Sequence, residues 1–374
     1  MSDLEKKSSA STHRRFLIYI GTSAEAGGAG IYSCFFDAEQ GTLSDLQLAV
    51  EVTSPLFLAV HPNGRLLYAV GDSRLSEDKK SPNVWAFSIT ADTGKLTFLN
   101  KVPSGGSVPC HITIDRTGTF ALIANYSSGS VAVFPIQKDG QLTDMTALIQ
   151  HSGSSLDLSR QKEPHPHSIT PTADNRFALV ADLGLDKLLI YRFNSEGGSL
   201  TPNFPAFAAL KPGSGPRHIA FTHDGRYVYV INELANTVTA FAYDSSSAVL
   251  SEIQTIITIP ETYSNETYAS EIKIHPSGNY LYGANRGHDS IAAFGINRHT
   301  GMLTLIEIYP CGGRWPRHFS IDPTGQWLLV ANERSDTIAV FGIDIGNGKL
   351  TGMDSGISLP SPVCLQFLYD YKIR

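Results

Sequence analysis

A segment of about fifty residues recurs along this chain of 374 residues, and it restricts the possible folds more than any other feature. Each copy contains an apolar stretch that runs into a turn, where glycine, or asparagine in one copy, readily adopts the positive φ that such a turn requires. Six copies are recognised by these turn residues, which are Gly64, Gly118, Asn175, Gly225, Gly278 and Gly325. A fixed period of this length indicates a repeat architecture, in which one supersecondary unit is copied along the chain.

Each repeat predicts four short antiparallel strands. An alternating strand precedes the turn, an apolar strand such as Tyr227 to Ile231 follows it, and a third strand alternates aromatic and aliphatic residues, as in TIAVFGID at 337–344. A turn that often reads Gly-Lys-Leu leads to a more variable fourth strand. Four strands with period two, separated by glycine, asparagine and aspartate and without sustained helical periodicity, are typical of a β-propeller blade.

The chain supplies seven such blades. Six full repeats run from about residue 54. The later strands of a seventh blade begin with RFLIYIGT at 15–22, and SPVCLQFLYD at 361–370 supplies the first strand of that blade. Both ends then lie in one blade, so the ring closes without a free blade interface. We therefore predict an all-β fold, with a disordered tail at residues 1–15 and a single seven-bladed β-propeller domain at residues 16–374. The alternative, two stacked β-sandwich domains, needs a linker that the sequence lacks.

The charge and cysteine content argue against several classes of function. The formal net charge of −6 and the lack of a long Lys/Arg run argue against a nucleic-acid partner. No stretch approaches the roughly eighteen apolar residues of a membrane helix, and the N-terminal residues are too polar for a signal peptide. The four cysteines lack the spacing of a zinc site or a disulfide framework. The sequence thus predicts a cytoplasmic protein without a membrane partner, metal or cofactor, and it leaves the oligomeric state open.

The repeat also predicts which side chains meet at the central channel. In a blade the innermost strand lines the channel and the second strand runs antiparallel to it, so the start of one and the end of the other lie at the same mouth. Counting eight residues in each direction from Gly225 places Arg217 beside Glu233. The same count places His167 one blade earlier and Arg286 one blade later. Guanidinium groups bind carboxylates and phosphates well, so this cluster predicts a site for an anionic small molecule.

Further ionisable side chains lie at this mouth by the same count, or one residue nearer the turn. We predict that they take part in substrate binding, and they are Arg317, Glu333, His111, His218 and His318. Each also has a structural interpretation. An Arg–Glu pair can be a cross-strand ion pair that stabilises the blade, and the three histidines recur shortly after a proline, as expected for a repeated structural hydrogen bond.

Several segments resemble the propeller lactonase family, which contains the propeller-type 6-phosphogluconolactonases and the fungal carboxy-cis,cis-muconate lactonizing enzymes. The similarity is clearest at 215–244, 271–297 and 315–344, with the motifs PRH, NEL and NRGHDSI, and the opening YIGTSAEAGGAG is also similar. The resemblance covers nearly the whole chain after residue 16. It implies a site made of a histidine, two arginines and a glutamate, which correspond by motif to His167, Arg217, Arg286 and Glu233. It also implies a hydrolase that converts 6-phosphoglucono-1,5-lactone to 6-phosphogluconate in the pentose phosphate pathway.

Opening a lactone requires an activated water and a stabilised oxyanion. We expect His167 to act as the base, since an unshifted histidine pKa of about 6.5 suits that role at neutral pH. Arg217 and Arg286 are expected to bind the substrate anion or the oxyanion. Glu233 either orients His167 or acts as the base, although an adjacent arginine makes a carboxylate a weaker base. Two alternatives stay open, which are the cyclisation of a muconate and a non-catalytic binding propeller.

Overall fold

A computed structural model describes residues 14–71, 82–90 and 93–368. Within these ranges, twenty-eight strands form seven antiparallel sheets of four strands each, and one short 3₁₀ helix spans Ala24–Ala26. The sheets are the blades of a β-propeller, which confirms the predicted fold and not the alternative of two stacked sandwiches. The tail predicted for residues 1–15 falls mostly on residues 1–13, which lie outside the described residues, and the first strand begins at Arg15.

The blades follow one another along the chain. Blade 1 contains β1 (Arg15–Thr22), β2 (Gly30–Asp37) and β3 (Thr42–Glu51). Blade 2 contains β4 (Pro55–Val60), β5 (Leu66–Gly71), β6 (Asn83–Ile89) and β7 (Leu96–Pro103). Blade 3 contains β8 (Pro109–Ile114), β9 (Phe120–Asn125), β10 (Ser130–Pro135) and β11 (Ala147–Gln150). Blade 4 contains β12 (Pro166–Pro171), β13 (Phe177–Asp182), β14 (Lys187–Asn194) and β15 (Ser199–Ala209).

The remaining three blades repeat the same order, with the innermost strand first. Blade 5 contains β16 (Pro216–Phe221), β17 (Tyr227–Asn232), β18 (Thr237–Asp244) and β19 (Val249–Ile257). Blade 6 contains β20 (Tyr268–Ile274), β21 (Tyr280–Arg286), β22 (Ser290–Ile296) and β23 (Leu303–Pro310). Blade 7 contains β24 (Pro316–Ile321), β25 (Trp327–Asn332), β26 (Thr337–Ile343) and β27 (Leu350–Ser358), and β28 (Pro362–Leu368) completes blade 1.

The last strand closes the ring. β28 pairs with β1 in antiparallel fashion, from Leu17 opposite Leu368 to Thr22 opposite Pro362, so blade 1 combines strands from both ends of the chain as predicted. The seven innermost strands contact one another in succession around the central channel, in the order β28, β4, β8, β12, β16, β20 and β24. This arrangement brings the starts of these strands together at one mouth of the channel.

The second strand of each blade forms much of the core. All six residues of β9 and of β17 are buried, because neighbouring blades cover both faces of these strands. Tyrosines of the second strands also link successive blades. The hydroxyl of Tyr68 donates to the Gly140 carbonyl at 2.9 Å, and that of Tyr229 donates to the Gly301 carbonyl at 2.9 Å. Each bond joins a buried strand to an outer turn of the following blade.

A β-bulge interrupts the innermost hairpin of each blade next to the channel mouth. In blade 5, Pro216 pairs with Asn232 and His218 with Ile231, so Arg217 is the extra residue between them. The equivalent residue is bulged in blades 1, 2, 3, 4 and 7, and in blade 6 the irregularity spans two residues. A bulge frees one residue from the regular alternation of the strand and redirects its side chain. The bulged residues therefore lie where the site is expected.

Candidate active site

Glu233, directly after β17, is the centre of the candidate site. Its Oε2 accepts a hydrogen bond from Nη1 of Arg217 at 2.9 Å and lies 2.9 Å from Nη2 of Arg286. Its Oε1 accepts a hydrogen bond from Nη2 of Arg160 at 2.7 Å. Nε2 of His167 lies 3.8 Å from Oε2. The structure thus brings together the four predicted catalytic residues, from three consecutive blades, and adds one arginine.

Backbone carbonyls of blade 6 hold the two buried arginines in place. Nε of Arg217 donates to the Ser270 carbonyl at 2.8 Å, and Nη2 of Arg286 donates to the Ala269 carbonyl at 3.1 Å. The two arginine side chains are 4% and 7% exposed. Their N–H groups therefore have fixed directions before a ligand arrives. Such preorganised donors stabilise developing negative charge without having to reorient during the reaction.

Arg160 is the additional guanidinium, and the repeat did not predict it. It lies in the loop between β11 and β12, so counting from the turns of the blades does not reach it. Besides Glu233, its Nη2 lies 3.4 Å from the Tyr126 hydroxyl, and its guanidinium carbon lies 5.2 Å from the centre of the Tyr268 ring. The sequence did contain a signal, because the spacing between turn residues is largest in the repeat that contains this loop.

The electrostatics of the site keep Glu233 charged. Burial raises the pKa of Glu233, but Arg286, Arg217 and Arg160 outweigh burial and hold this pKa well below its usual range. Burial lowers the pKa of Arg286 to about 10 despite the attraction of Glu233, so this guanidinium is still charged at neutral pH. A carboxylate stabilised in this way is a weak base, as we expect for Glu233 beside an arginine.

His167 is neutral at neutral pH. Burial, together with the positive charge of Arg217, holds the pKa of His167 well below 6.5, so the expectation of an unshifted pKa is wrong. Nε2 contacts Nη1 of Arg217, and because an arginine N–H only donates, Nε2 carries the lone pair. Nδ1 lies 3.7 Å from Sγ of Cys110, and the Tyr126 ring packs against the imidazole at a centroid distance of 5.3 Å. His167 thus presents an unprotonated nitrogen to the arginines and Glu233.

Arg317 and Glu333 form the equivalent pair in blade 7. Nη1 of Arg317 lies 3.3 Å from Oε2 of Glu333, and the two side chains are 23% and 17% exposed. The charge of Glu333 raises the pKa of Arg317. We give the name mouth cluster to the six ionised side chains described above, which are Arg160, Arg217, Arg286, Arg317, Glu233 and Glu333. Its four guanidiniums and two carboxylates leave two excess positive charges, which favour an anionic ligand.

The three histidines predicted to bind substrate lie one residue further along their strands, below the mouth cluster. The rings of His111, His218 and His318 surround Phe57, at centroid distances of 4.5, 5.7 and 5.6 Å. Oε2 of Glu271 lies 3.1 Å from Nδ1 of His218 and 3.1 Å from Nε2 of His318. Burial lowers the pKa of all three histidines, that of His318 to about 3. Their role in substrate binding stays a prediction.

Comparison with known proteins identifies the family of this chain. The family model described as "Lactonase, 7-bladed beta-propeller" matches residues 17–367. One curated relative is the 6-phosphogluconolactonase of Bacillus subtilis, which is 37% identical over 355 residues and aligns over 95% of this chain and 99% of its own length. Another is the 6-phosphogluconolactonase of Formosa agariphila, which is 34% identical over 298 residues and aligns over 79% of this chain and 82% of its own length.

Solved structures give the same result. A Bacteroides fragilis protein described as a candidate 6-phosphogluconolactonase matches with a TM-score of 0.87 and 33% identity, over 98% of this chain and 99% of its own. The periplasmic gluconolactonase PpgL of Pseudomonas aeruginosa matches with a TM-score of 0.90 and 29% identity, over 94% of this chain and 99% of its own. The resemblance found in the sequence is confirmed, and this chain belongs to the seven-bladed β-propeller lactonase family.

Proposed function

We propose that this protein hydrolyses a sugar lactone that carries an anionic group, with 6-phosphoglucono-1,5-lactone as substrate and 6-phosphogluconate as product. Membership of the lactonase family supports the class of reaction. The names of the Bacillus and Formosa relatives support the choice of lactone, and they favour hydrolysis over muconate cyclisation or a non-catalytic binding role. The excess positive charge of the mouth cluster is the structural observation that carries the proposal, because it fits an anionic substrate.

The mouth cluster provides donors for the charge that develops during ring opening. Attack of water on the carbonyl carbon places negative charge on the carbonyl oxygen, and the bond from that carbon to the ring oxygen then breaks. We assign stabilisation of the oxyanion to Arg217 and Arg286, because both guanidiniums are buried and fixed by backbone carbonyls. The ring oxygen takes up a proton and becomes the alcohol, and the new acid ionises to the carboxylate.

We assign the removal of the proton from water to His167. A neutral imidazole can accept this proton at Nε2 once the substrate takes over the N–H of Arg217 that Nε2 contacts in the free protein. Glu233 is the weaker candidate, because guanidiniums bind both of its carboxylate oxygens, three guanidiniums in all, whereas Nε2 of His167 contacts that of Arg217. Its assigned role is to hold the arginines and to stabilise the imidazolium that forms when His167 is protonated.

An assay of the purified protein with 6-phosphoglucono-1,5-lactone tests the proposal, provided that spontaneous hydrolysis is subtracted. We expect the wild-type protein to accelerate formation of 6-phosphogluconate, and the His167→Gln variant to lower kcat by about 10²-fold or more, as loss of a general base does. A wild-type rate equal to the spontaneous rate contradicts the proposal. A His167→Gln variant with the wild-type rate contradicts the assignment of the base.

The predicted location in the cytoplasm, and a place in the pentose phosphate pathway, belong to this proposal. Among the described residues, no helix is both long enough and apolar enough to cross a membrane. The four cysteines are buried and unpaired. One structural relative is named a periplasmic gluconolactonase, so related proteins occur outside the cytoplasm. Cell fractionation, with cytoplasmic and periplasmic marker enzymes as controls, tests the location directly.

A further inference from the structure

We propose that Arg160 binds the phosphate of the substrate and so determines the preference for phosphorylated over neutral lactones. The inference rests on the proposed lactonase activity and deepens it, because it assigns specificity to one side chain outside the repeat. The segment that carries this residue connects β11 to β12 and spans residues 151–165. We call it the Arg160 loop.

Arg160 is the guanidinium at Glu233 that solvent still reaches. Its side chain is 30% exposed, whereas those of Arg217 and Arg286 are 4% and 7% exposed. The two buried arginines also donate to backbone carbonyls of blade 6. The guanidinium of Arg160 contacts side chains instead, namely the Glu233 carboxylate, the Tyr126 hydroxyl and the Tyr268 ring. It can therefore turn toward a ligand without breaking a bond to the backbone.

The negative charge of Glu233 keeps cationic partners when Arg160 turns away from it. Oε2 of Glu233 remains 2.9 Å from Nη1 of Arg217 and 2.9 Å from Nη2 of Arg286. An unpaired buried charge is very unfavourable, but Glu233 keeps two cationic partners. A phosphate monoester brings about two negative charges at neutral pH. That charge matches the two excess positive charges of the mouth cluster.

Buried polar contacts hold the Arg160 loop in one conformation. The neighbouring Gln161 is fully buried. Its Nε2 donates to the Leu183 carbonyl at 2.8 Å, and its Oε1 accepts from the backbone N–H of Asp157 at 3.0 Å. Loops longer than about 12 residues without secondary structure are uncommon unless they have a function. An ordered loop of this kind presents Arg160 at the channel mouth before substrate binds, which lowers the entropy lost on binding.

The inference is tested with two lactones that differ in the phosphate alone, 6-phosphoglucono-1,5-lactone and glucono-1,5-lactone. We expect Arg160→Gln to lower kcat/KM for the phosphorylated lactone by about tenfold or more, mainly through KM, because a charge-assisted hydrogen bond to the phosphate is lost. The neutral lactone should change by less than about twofold, since it lacks the group that Arg160 binds. Arg160→Lys keeps the charge but not the two-pronged geometry, so an intermediate loss is expected.

Arg176→Gln is the matched control. Arg176 also pairs with a carboxylate, with Nε 2.7 Å from Oδ2 of Asp174, but it lies in the exposed turn between β12 and β13, at the far end of these strands. This variant should retain wild-type kinetics with both lactones. Thermal unfolding of each variant checks that the fold is retained.

Three kinetic outcomes overturn the inference. If Arg160→Gln lowers kcat/KM equally for both lactones, Arg160 acts through Glu233 and not on the phosphate. If neither lactone is affected, or if the wild-type protein shows no preference for the phosphorylated lactone, Arg160 does not determine specificity.

Calorimetric titration with 6-phosphogluconate and with gluconate separates this inference from the proposed reaction. If the wild-type protein turns over neither lactone, the proposed function fails. The titration still decides the role of Arg160 in that case. Tighter binding of 6-phosphogluconate than of gluconate, lost in Arg160→Gln, supports the inference, and binding that the variant leaves unchanged overturns it.

Discussion

Nη1 of Arg217 lies 2.9 Å from Oε2 of Glu233, across the hairpin of β16 and β17, and each side chain is 4% exposed. The relationship is not symmetrical. Glu233 has two further arginine partners, Arg160 and Arg286. All three arginines, in contrast, have the same acidic partner in the mouth cluster, which is Glu233. We therefore expect the loss of Glu233 to affect the stability of the fold differently from the loss of Arg217.

We expect Glu233→Ala to destabilise the protein more than Arg217→Ala does. Removing Glu233 leaves buried guanidiniums without their acidic partner, a change that lowers the free energy of unfolding by about 3–5 kcal/mol in comparable buried pairs. Removing Arg217 leaves Glu233 paired with two guanidiniums, so the loss should be smaller. Urea denaturation of both variants measures the difference. Equal losses, or a reversed order, would contradict this prediction.

Arg217→Ala should nevertheless abolish most of the activity. If this guanidinium stabilises the oxyanion, its removal should lower kcat by about 10²–10³-fold, the range for loss of one preorganised donor. The measurement is the rate of hydrolysis of 6-phosphoglucono-1,5-lactone at saturating substrate, with Arg176→Gln as control. Wild-type turnover in Arg217→Ala would remove this residue from the mechanism.

The pH dependence of kcat/KM should reflect the lowered pKa of His167. The base must be unprotonated to accept a proton, and the pKa of His167 lies well below 6.5 in the folded protein. The acidic limb of the profile should therefore lie below pH 6.5, with kcat/KM constant from there to about pH 8. Initial rates corrected for spontaneous hydrolysis at each pH provide the test. An acidic limb centred at or above pH 6.5 would contradict the assignment.

The buried histidines should make the fold sensitive to acid. Burial lowers the pKa of four of them, which are His111, His167, His218 and His318. Below pH 6.5 the unfolded chain binds protons at these positions and the folded protein does not, so stability falls as the pH falls. Each histidine contributes up to about 1.4 kcal/mol per pH unit, and above its unfolded pKa it contributes no pH dependence. Below about pH 4.5, Glu233 and Glu271 add to the loss, because their pKa values are lowered as well.

Urea denaturation at pH 7.5, 6.5 and 5.5 measures this dependence. His318→Gln serves as the comparison, because the pKa of His318 is lowered to about 3 and glutamine does not titrate. The variant should lose less stability than the wild type between pH 6.5 and 5.5, by up to about 1.4 kcal/mol. A wild-type free energy of unfolding that is constant from pH 7.5 to 5.5 would refute the prediction.

Closure of the ring by β28 should be essential for folding. A chain that ends at Ser361 loses the strand that pairs with β1 and the buried residues Leu365 and Phe367. We expect this truncation to abolish cooperative thermal unfolding, because it exposes the edge of β1 and opens the core of blade 1. The matched control ends at Leu368, the last residue of β28, so the two truncated chains differ in this strand alone, and we expect cooperative unfolding of the longer one. Cooperative unfolding of the shorter chain at the same temperature would show that six blades and three strands suffice.

The fold could be predicted because its information is local and repeated. The turn residues that mark each blade have positive φ values, including Asn175 at 55°, the single turn without glycine among the six. The apolar strands that follow them are buried in the structure, as β9 and β17 illustrate. Since each repeat carries the same signals, an ambiguous copy is identified by its neighbours.

The candidate site could be predicted in part. Arg217 and Glu233 were found together because the innermost hairpins have the same length, so a fixed count reaches the same mouth in each blade. The same count reaches His167, which lies beside Glu233, whereas His165, two residues earlier, stacks on Tyr126. Arg160 was missed because it lies in an insertion outside the repeat. The lowered pKa of His167 was missed because its burial arises from packing between blades, which a linear count does not reveal.

At the bulge beside the channel mouth, the residue that can contact a ligand is distinct from the residues that specify the fold of the blade. Six blades carry one such extra residue, and they hold aliphatic, thiol, imidazole and guanidinium groups, namely Val363, Leu56, Cys110, His167, Arg217 and Arg317. Because an extra residue has no partner of its own in the ladder, its replacement leaves the register of the hairpin unchanged. We therefore expect substitutions at these bulged residues to change the ligand that the channel mouth accepts, while the glycine turns and second strands continue to specify the ring.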